Sequence, residues 1–276
     1  MKVAIIACVK CEERYICEWL DWHISIGVEH FFLADNNEED YSPTLESIVC
    51  DYIEQDVVTI IDYCGIKPVQ PLCYNSIMEM YGNVYDWYAM IDVDEFLCLP
   101  MHNSIHAFLK SIPQDTDIIH LHWRLYGDND LLTYDNRPVQ ERFTVAVENN
   151  SFHHGYCKYI KSIFRNKAHL DNKIGNPLVI NNHHSVNDDE IMLRRNSLGE
   201  QIVNPRCFMC DFKEEEFNIA YIKHFITKTS EEYIDKRKRG DSFRKHGNNG
   251  KYSEHFFFIF NKETKEKVEY FKKNFV

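Results

Sequence analysis

The stretch "WYAMIDVDEF" occupies residues 87–96. Five mostly apolar residues run directly into Asp92, Asp94 and Glu95, with only Val93 between the first two acids. The apolar part reads as a buried strand, and the acids mark its end. In open α/β sheets, ligands gather beyond the carboxyl ends of the strands. Carboxylates at i and i+2, with a third beside them, repel one another unless a cation or a shared proton relieves them. Hard oxygen ligands suit Mg²⁺ or Mn²⁺, which takes one or two carboxylates and fills its remaining positions with water and phosphate oxygens. The stretch therefore reads as a metal-and-diphosphate device rather than a catalytic acid–base pair.

Upstream, "KVAIIACV" (2–9), "EHFFLAD" (29–35) and "DVVTIIDY" (56–63) have the apolar, β-branched character of buried strands. Between the first two, Ile16, Trp19, Leu20, His23 and Ile24 recur at helical spacing, and Gly27 stands where that helix would end. Pro43 fits the first position of a second helix carrying Leu45, Ile48 and Val49. A helical stretch from about Leu72 to Tyr81 leads back to the opening strand, which becomes the fourth. Strands alternating with helices imply βαβ units and a mostly parallel sheet. Downstream, "DIIHLHWRLYG" (117–127) and "KYIKSIFR" (158–165) are strand-like. Residues 166–211 are polar and loop-rich, and a helix is expected over Ser230–Arg239. No repeat, low-complexity tract or Gly/Ser linker divides the chain, so the expected class is one α/β domain with a decorated C-terminal half.

At 276 residues, 44% hydrophobic and 14% aromatic, the chain belongs among ordered globular proteins. A net charge of −12 argues against general nucleic-acid binding. The charge is uneven. From Lys223 onward there are 14 Lys and Arg against 8 Asp and Glu, so residues 1–222 carry −18. That basic tail implies either an anionic partner or a solvated helical face. No segment approaches the roughly 18 apolar residues of a membrane span. "MKVAIIACVK" has too short an apolar region for a signal peptide and no small-residue cleavage site, so a cytoplasmic location is expected.

The ten cysteines then read as reduced thiols. Cys8/Cys11 and Cys207/Cys210 would supply four thiolates to zinc, but Cys8 lies inside an apolar strand, which favours buried or idle thiols. There is no G-x-G-x-x-G after the first strand, no P-loop and no H-E-x-x-H, and the adjacent His183 and His184 point in different directions on any regular element. A haloacid-dehalogenase-like phosphatase expects its Asp-x-Asp on the first strand, with Thr or Val where this chain has Phe96.

Other strand ends are polar too. Lys10 and Glu12 follow the first strand, and Asp35, Asn36 and Asn37 follow the second. Helix caps and turns are the competing explanation, strong for Asn36 and Asn37 and weak for Asp92, Asp94 and Glu95.

"ACVKCEERYICEWLDWHISIGVEHFFLADNN" followed by "WYAMIDVDEFL" resembles a branch of the family 2-like glycosyltransferases, close to family 92. "WRLYG" (123–127), "ERF" (141–143) and "KHFITKTSEEYIDKRKRG" (223–240) are similar to later blocks of that family, so the resemblance spans roughly residues 2–240. It implies a GT-A type, Rossmann-like, mostly parallel sheet flanked by helices, a nucleotide-sugar donor such as a UDP-hexose, and Mn²⁺ or Mg²⁺. Residues 1–100 would form the nucleotide-sugar half, 101–240 the acceptor half and 241–276 a basic, aromatic extension. Val9, Lys10, Glu12 and Asp35 would line the nucleoside; Asp92, Val93 and Lys228 would meet the diphosphate; Asp92, Asp94 and His224 would hold the metal. Two departures stand out: Cys11 replaces the family's Asn, and "GDND" (127–130) replaces a Gly-Ser-Ser-like loop.

The resemblance further implies inversion at the anomeric carbon by direct displacement, with a carboxylate deprotonating the acceptor hydroxyl. Asp128 and Glu141 are the leading base candidates, Glu95 a supporting residue, and Trp123 and Arg124 acceptor contacts. The acceptor would be a glycan or lipid-linked saccharide of surface polysaccharide synthesis, with the basic tail at an anionic inner-membrane face. A non-catalytic nucleotide-sugar or polysaccharide-binding protein is the alternative from another class, and an α/β phosphotransferase the third.

Overall fold

The apolar runs of the first hundred residues become four parallel strands in a computed structural model that describes residues 1–66, 70–147, 155–174, 180–182, 185–186, 192–203, 209–240 and 253–274. β1 (Val3–Val9) lies between β2 (His30–Asp35) and β4 (Trp87–Met90), with β3 (Val58–Asp62) outside β2. Val3 to Ala7 are wholly buried. Packing on both faces is why these runs read as continuous rather than alternating.

β4 stops at Met90, and the acidic residues form the turn that follows. The Glu95 amide donates to the Asp92 carbonyl at 3.0 Å, and β5 (Glu95–Cys98) begins at once. β6 (Ile118–Leu125), β7 (Ile160–Arg165) and β11 (Tyr221–His224) complete a main sheet ordered β3-β2-β1-β4-β7-β6-β11-β5, in which β7 and β5 run against the rest. β8 (Ile180–Asn182) and β9 (Ser185–Val186) form a separate pair, and β10 (Arg194–Arg195) joins β6. The result is the mostly parallel, helix-flanked α/β sheet expected. β5 and β11 were not legible as strands, because β5 opens on an acid of the turn and β11 ends on Lys223 and His224, so neither is a continuous apolar run.

The Ile16–Ser25 helix buries Ile16, Trp19, Leu20 and His23. It ends as expected: Gly27, at φ +97°, donates its amide to the Ile24 carbonyl at 2.9 Å. Its polar atoms do something the helical period did not announce. β5 pairs with β11 on one side, and on its other side Trp19 Nε1 donates to the Glu95 carbonyl and Trp22 Nε1 to the Leu97 carbonyl, both at 2.8 Å. The Leu97 amide donates to His23 Nε2 at 3.2 Å, while His23 Nδ1 donates to the Trp19 carbonyl. Glu18 accepts from the Val139 and Gln140 amides at 2.7 and 3.2 Å, fixing the start of the Val139–Arg142 helix. Much of the motif behind the family resemblance is thus a clamp on the backbone.

Three expectations change. Pro43 precedes its helix rather than opening it: Thr44 is the cap, its hydroxyl accepting from the Ser47 amide, and two short helices follow, Leu45–Ile48 and Cys50–Glu54. Inside the polar 166–211 stretch lies the Lys167–Ile174 helix, held by buried Asp117 through His169 Nε2 at 2.7 Å and through Lys173. Charged anchoring of this kind leaves no apolar period. The aromatic tail also folds inward: in the Glu254–Phe260 and Lys265–Asn274 helices, Phe257 and Phe271 are buried against Tyr233 of the Ser230–Arg239 helix. Cys8 sits against Cys73, and Cys11 accompanies neither; Cys207, His183 and His184 lie outside the described residues. Among the described residues no helix is long and apolar enough to cross a membrane.

Candidate functional site

The turn Asp92–Glu95 brings its acids to the carboxyl end of the sheet, and the charges are met by lysines. Lys161, on β7 and 1% exposed, lies 2.8 Å from Asp92 Oδ2 and 2.9 Å from Glu95 Oε2. Asp94 Oδ2 is paired with Lys236 Nζ at 2.5 Å. Against its burial, Lys236 and His224 hold the Asp94 carboxyl well below the usual carboxylate range. Burial pushes Glu95 up to about 8 against the pull of Lys161, with Asp92 and Asp94 adding to the rise. Glu95 also accepts from the Asp92 amide at 3.0 Å, so it braces the turn. Val93 and Val9 are buried in the main core.

His224 ends β11 directly opposite Glu95. Its Nε2 lies 3.6 Å from Asp94 Oδ2 and its Nδ1 3.8 Å from Glu95 Oε1. Burial pushes the imidazole below its ordinary value. Trp123 meets this ring edge-on at 4.3 Å and stacks on Tyr159. Arg124, the next residue, faces the other way, 5.8 Å over Phe217 and 5.7 Å over Tyr221. Alternation along β6 therefore separates the two residues that were expected to share an acceptor.

Asp94, His224 and Asp92 were expected to hold Mn²⁺ or Mg²⁺. As arranged, they do not fit one. The Asp94 oxygen nearest His224 already carries the Lys236 ammonium, and Asp92 carries Lys161. Among the described residues no group of three or more His, Cys, Asp or Glu side chains is disposed to hold a metal ion.

A cavity of about 190 Å³ opens beyond β1, walled by Glu12, Tyr15, Lys228, Lys236 and Arg239, with Tyr41 at one side. The Ser230–Arg239 helix positions two of its cations. A Thr229/Glu232 capping box fixes the helix start, and Glu232 is gripped by Arg142 Nη1 and Nη2 at 2.8 and 3.0 Å. Lys236 and Arg239 then fall one turn apart on the same face. Arg239 pairs with Glu12 and donates to the Lys10 and Cys11 carbonyls at 2.7 and 3.1 Å. The second Glu12 oxygen, Oε2, is buried with no hydrogen-bond partner among the described residues.

Lys228 differs from every cation around it. It is 5% exposed, takes the left-handed backbone conformation at φ +55°, and has no carboxylate within salt-bridge distance among the described residues. Its ammonium rests 3.6 Å from the centre of the Tyr15 ring. Burial pushes it below the ordinary lysine value despite Glu12 and Asp94 nearby.

The remaining residues expected in the site are placed as follows. Lys10 extends to Glu38 at 2.9 Å. Asp35 accepts from the Asn37 amide and side chain at 3.0 and 2.8 Å, and Asn36 donates to the Tyr63 and Ile66 carbonyls, so both asparagines build turns. Cys11, where the family has Asn, sits at φ +49° with its amide on Asn37 Oδ1. Asp128 is buried and paired with Lys267 Nζ at 2.7 Å. Glu141 is exposed, while its neighbours Arg142 and Phe143 are buried. In the sequence Lys236 and Arg239 stand out only as part of a basic run; the available signal is their helical spacing from Glu232 and Tyr233, which are both buried.

The family model for glycosyltransferase family 92 matches residues 4–251. A family 92 glycosyltransferase protein from Ricinus communis is 28% identical over 111 residues, which is 40% of this chain and 19% of that protein. Among solved structures, S. aureus TarS 1–349 in complex with UDP-GlcNAc is similar at 12% identity, covering 79% of this chain and 61% of that one, with a TM-score of 0.43. A mannosyltransferase from Pyrobaculum calidifontis, in complex with GDP-Man and Mn²⁺, is 14% identical, covering 45% and 36%, with a TM-score of 0.35.

Proposed function

The chain belongs to glycosyltransferase family 92, and from that premise we propose that it transfers a sugar from a nucleotide-sugar donor to a saccharide hydroxyl, with the donor's diphosphate seated against Lys228. The observation that carries this reading is the lysine itself. A buried ammonium with no carboxylate within salt-bridge distance among the described residues, held on a left-handed backbone, is costly for the fold, and such features collect at binding and catalytic sites. An arriving diphosphate supplies the missing anion. Glu12 Oε2, buried and without a partner among the described residues, suits a donor hydroxyl such as one of the ribose. The cavity is smaller than the roughly 300–1,000 Å³ of a complete small-molecule pocket, and accounts for the diphosphate end of a donor rather than the whole.

In this reading the acceptor oxygen attacks the anomeric carbon as the bond to the diphosphate breaks, inverting the centre. Lys228 and its neighbouring cations stabilise the departing charge. The acceptor proton passes to Glu141, because Asp128 is buried against Lys267. Trp123, beside His224, is the acceptor platform, and Arg124 lies on the opposite face. The acceptor is a glycan or lipid-linked saccharide. A peripheral contact with anionic membrane would fall to the exposed Lys272 and Lys273, and flotation with anionic vesicles at low salt would show it.

Calorimetry with UDP and GDP tests the donor site. A nucleoside diphosphate is expected to bind, and Lys228→Met to weaken it at least tenfold; no binding of either nucleotide overturns the assignment. With a competent donor, Glu141→Gln should stop sugar transfer while leaving nucleotide binding intact. Transfer unchanged in that variant would remove Glu141 as the base.

A further inference from the structure

The disagreement between the expected metal site and the residues present has a positive side. We propose that Lys236 takes the place of a divalent cation at Asp94, so that a nucleoside diphosphate binds through Lys228, Lys236 and Arg239 without an obligatory metal; this rests on the donor reading above.

Lys236 occupies the place in which a metal would be useful. Its ammonium sits on the Asp94 oxygen facing His224 and also donates to the Ile226 carbonyl at 3.2 Å. A dication on that same oxygen would press against an ammonium at contact distance, and like charges this close repel strongly. Asp92 offers no escape, since Lys161 bridges it to Glu95 from a site that is 1% exposed. Both carboxylates of the Asp-Val-Asp turn therefore already have nitrogen cations, and only one of these, Lys236, also borders the cavity.

The three cations divide the work. Lys228, on the chain between β11 and the Ser230–Arg239 helix, brings an ammonium with no carboxylate at salt-bridge distance among the described residues. Lys236 brings one shared with Asp94, and Arg239, one helical turn on, brings a guanidinium shared with Glu12. Ammonium and guanidinium groups in a confined site can stabilise phosphate oxygens as a metal does, with the helix fixing their spacing. Asp94 then acts as a positioning residue that aims Lys236, rather than as a ligand.

The test is UDP and GDP binding by calorimetry, in EDTA and in excess Mn²⁺, using the whole chain. The affinity in EDTA is expected within about threefold of that in Mn²⁺. Lys236→Met should weaken binding at least tenfold in EDTA and recover with Mn²⁺, because the substitution frees Asp94. Electron paramagnetic resonance should then show Mn²⁺ bound by Lys236→Met and not by the parent protein. Nucleotide binding by the parent that requires Mn²⁺ overturns the proposal, and this arm needs no variant to fold. So does a Lys236→Met protein that binds nucleotide normally in EDTA. If neither nucleotide binds with or without metal, the donor reading fails, and the role of Lys236 falls with it.

Discussion

Two buried lysines stand on opposite terms with the fold. Lys161 reaches from β7 into a pocket where Asp92 and Glu95 both meet it. Lys228 has an aromatic face and, among the described residues, no carboxylate within salt-bridge distance. Each carries a charge out of water, but only Lys161 is repaid within the molecule. Burial with partners marks a structural ion; burial without one marks a place kept for something that arrives from solution.

Substituting each lysine by methionine is the most severe way to break the contrast. Lys161→Met strands Asp92 and Glu95 and should cost about 3–5 kcal/mol in urea unfolding. Lys228→Met removes a charge that has no salt-bridge partner among the described residues and should leave stability unchanged or raise it by about 1 kcal/mol. Equal losses from the two would erase the distinction.

Acid pH gives the next largest effect. Burial pushes His23 down to about 4, and His120 and His122 down to about 3 and about 4. A histidine held neutral in the fold binds fewer protons there than in the unfolded chain, so its contribution is complete above about pH 6.5 and is lost as the pH falls toward 4. His23 alone accounts for about 3 kcal/mol across that window. Unfolding followed at pH 7, 6 and 5 should show the decline; a flat profile would mean that these rings become charged without penalty.

The smallest effect concerns Cys11. A cysteine at φ +49° pays a backbone penalty that Asn largely avoids. Cys11→Asn should therefore stabilise by at most about 1 kcal/mol, read as a small rise in Tm, and a fall would show that the thiol itself is needed.

These residues also show how far the sequence could be read. The four parallel strands carried continuous apolar runs and the Ile16–Ser25 helix a strong apolar period, and the acids of 92–95 marked the carboxyl end of the fourth strand. The lysines that answer those acids were not legible, because Lys161 sits about 70 residues downstream in a strand-like run and Lys236 inside a basic cluster that reads as solvated. Pairing across the sheet is a property of topology, and no local spacing records it. The same holds for Asp128, an acid in a polar loop until Lys267 folds back onto it. Lys228 was legible only through the family pattern, since a lysine in "TKTS" has no period to betray that it is buried.

The clamp on β5 bears on a different matter, how copies of this chain meet one another. A strand at the border of a sheet ordinarily presents a row of amides and carbonyls that another chain can extend, a common start of aggregation. Here the Glu95 and Leu97 carbonyls and the Leu97 amide are already engaged by two indoles and an imidazole. Trp19, Trp22 and His23 thus act as gatekeepers against intermolecular sheet growth at that border, and they do so beside the Asp92–Glu95 turn.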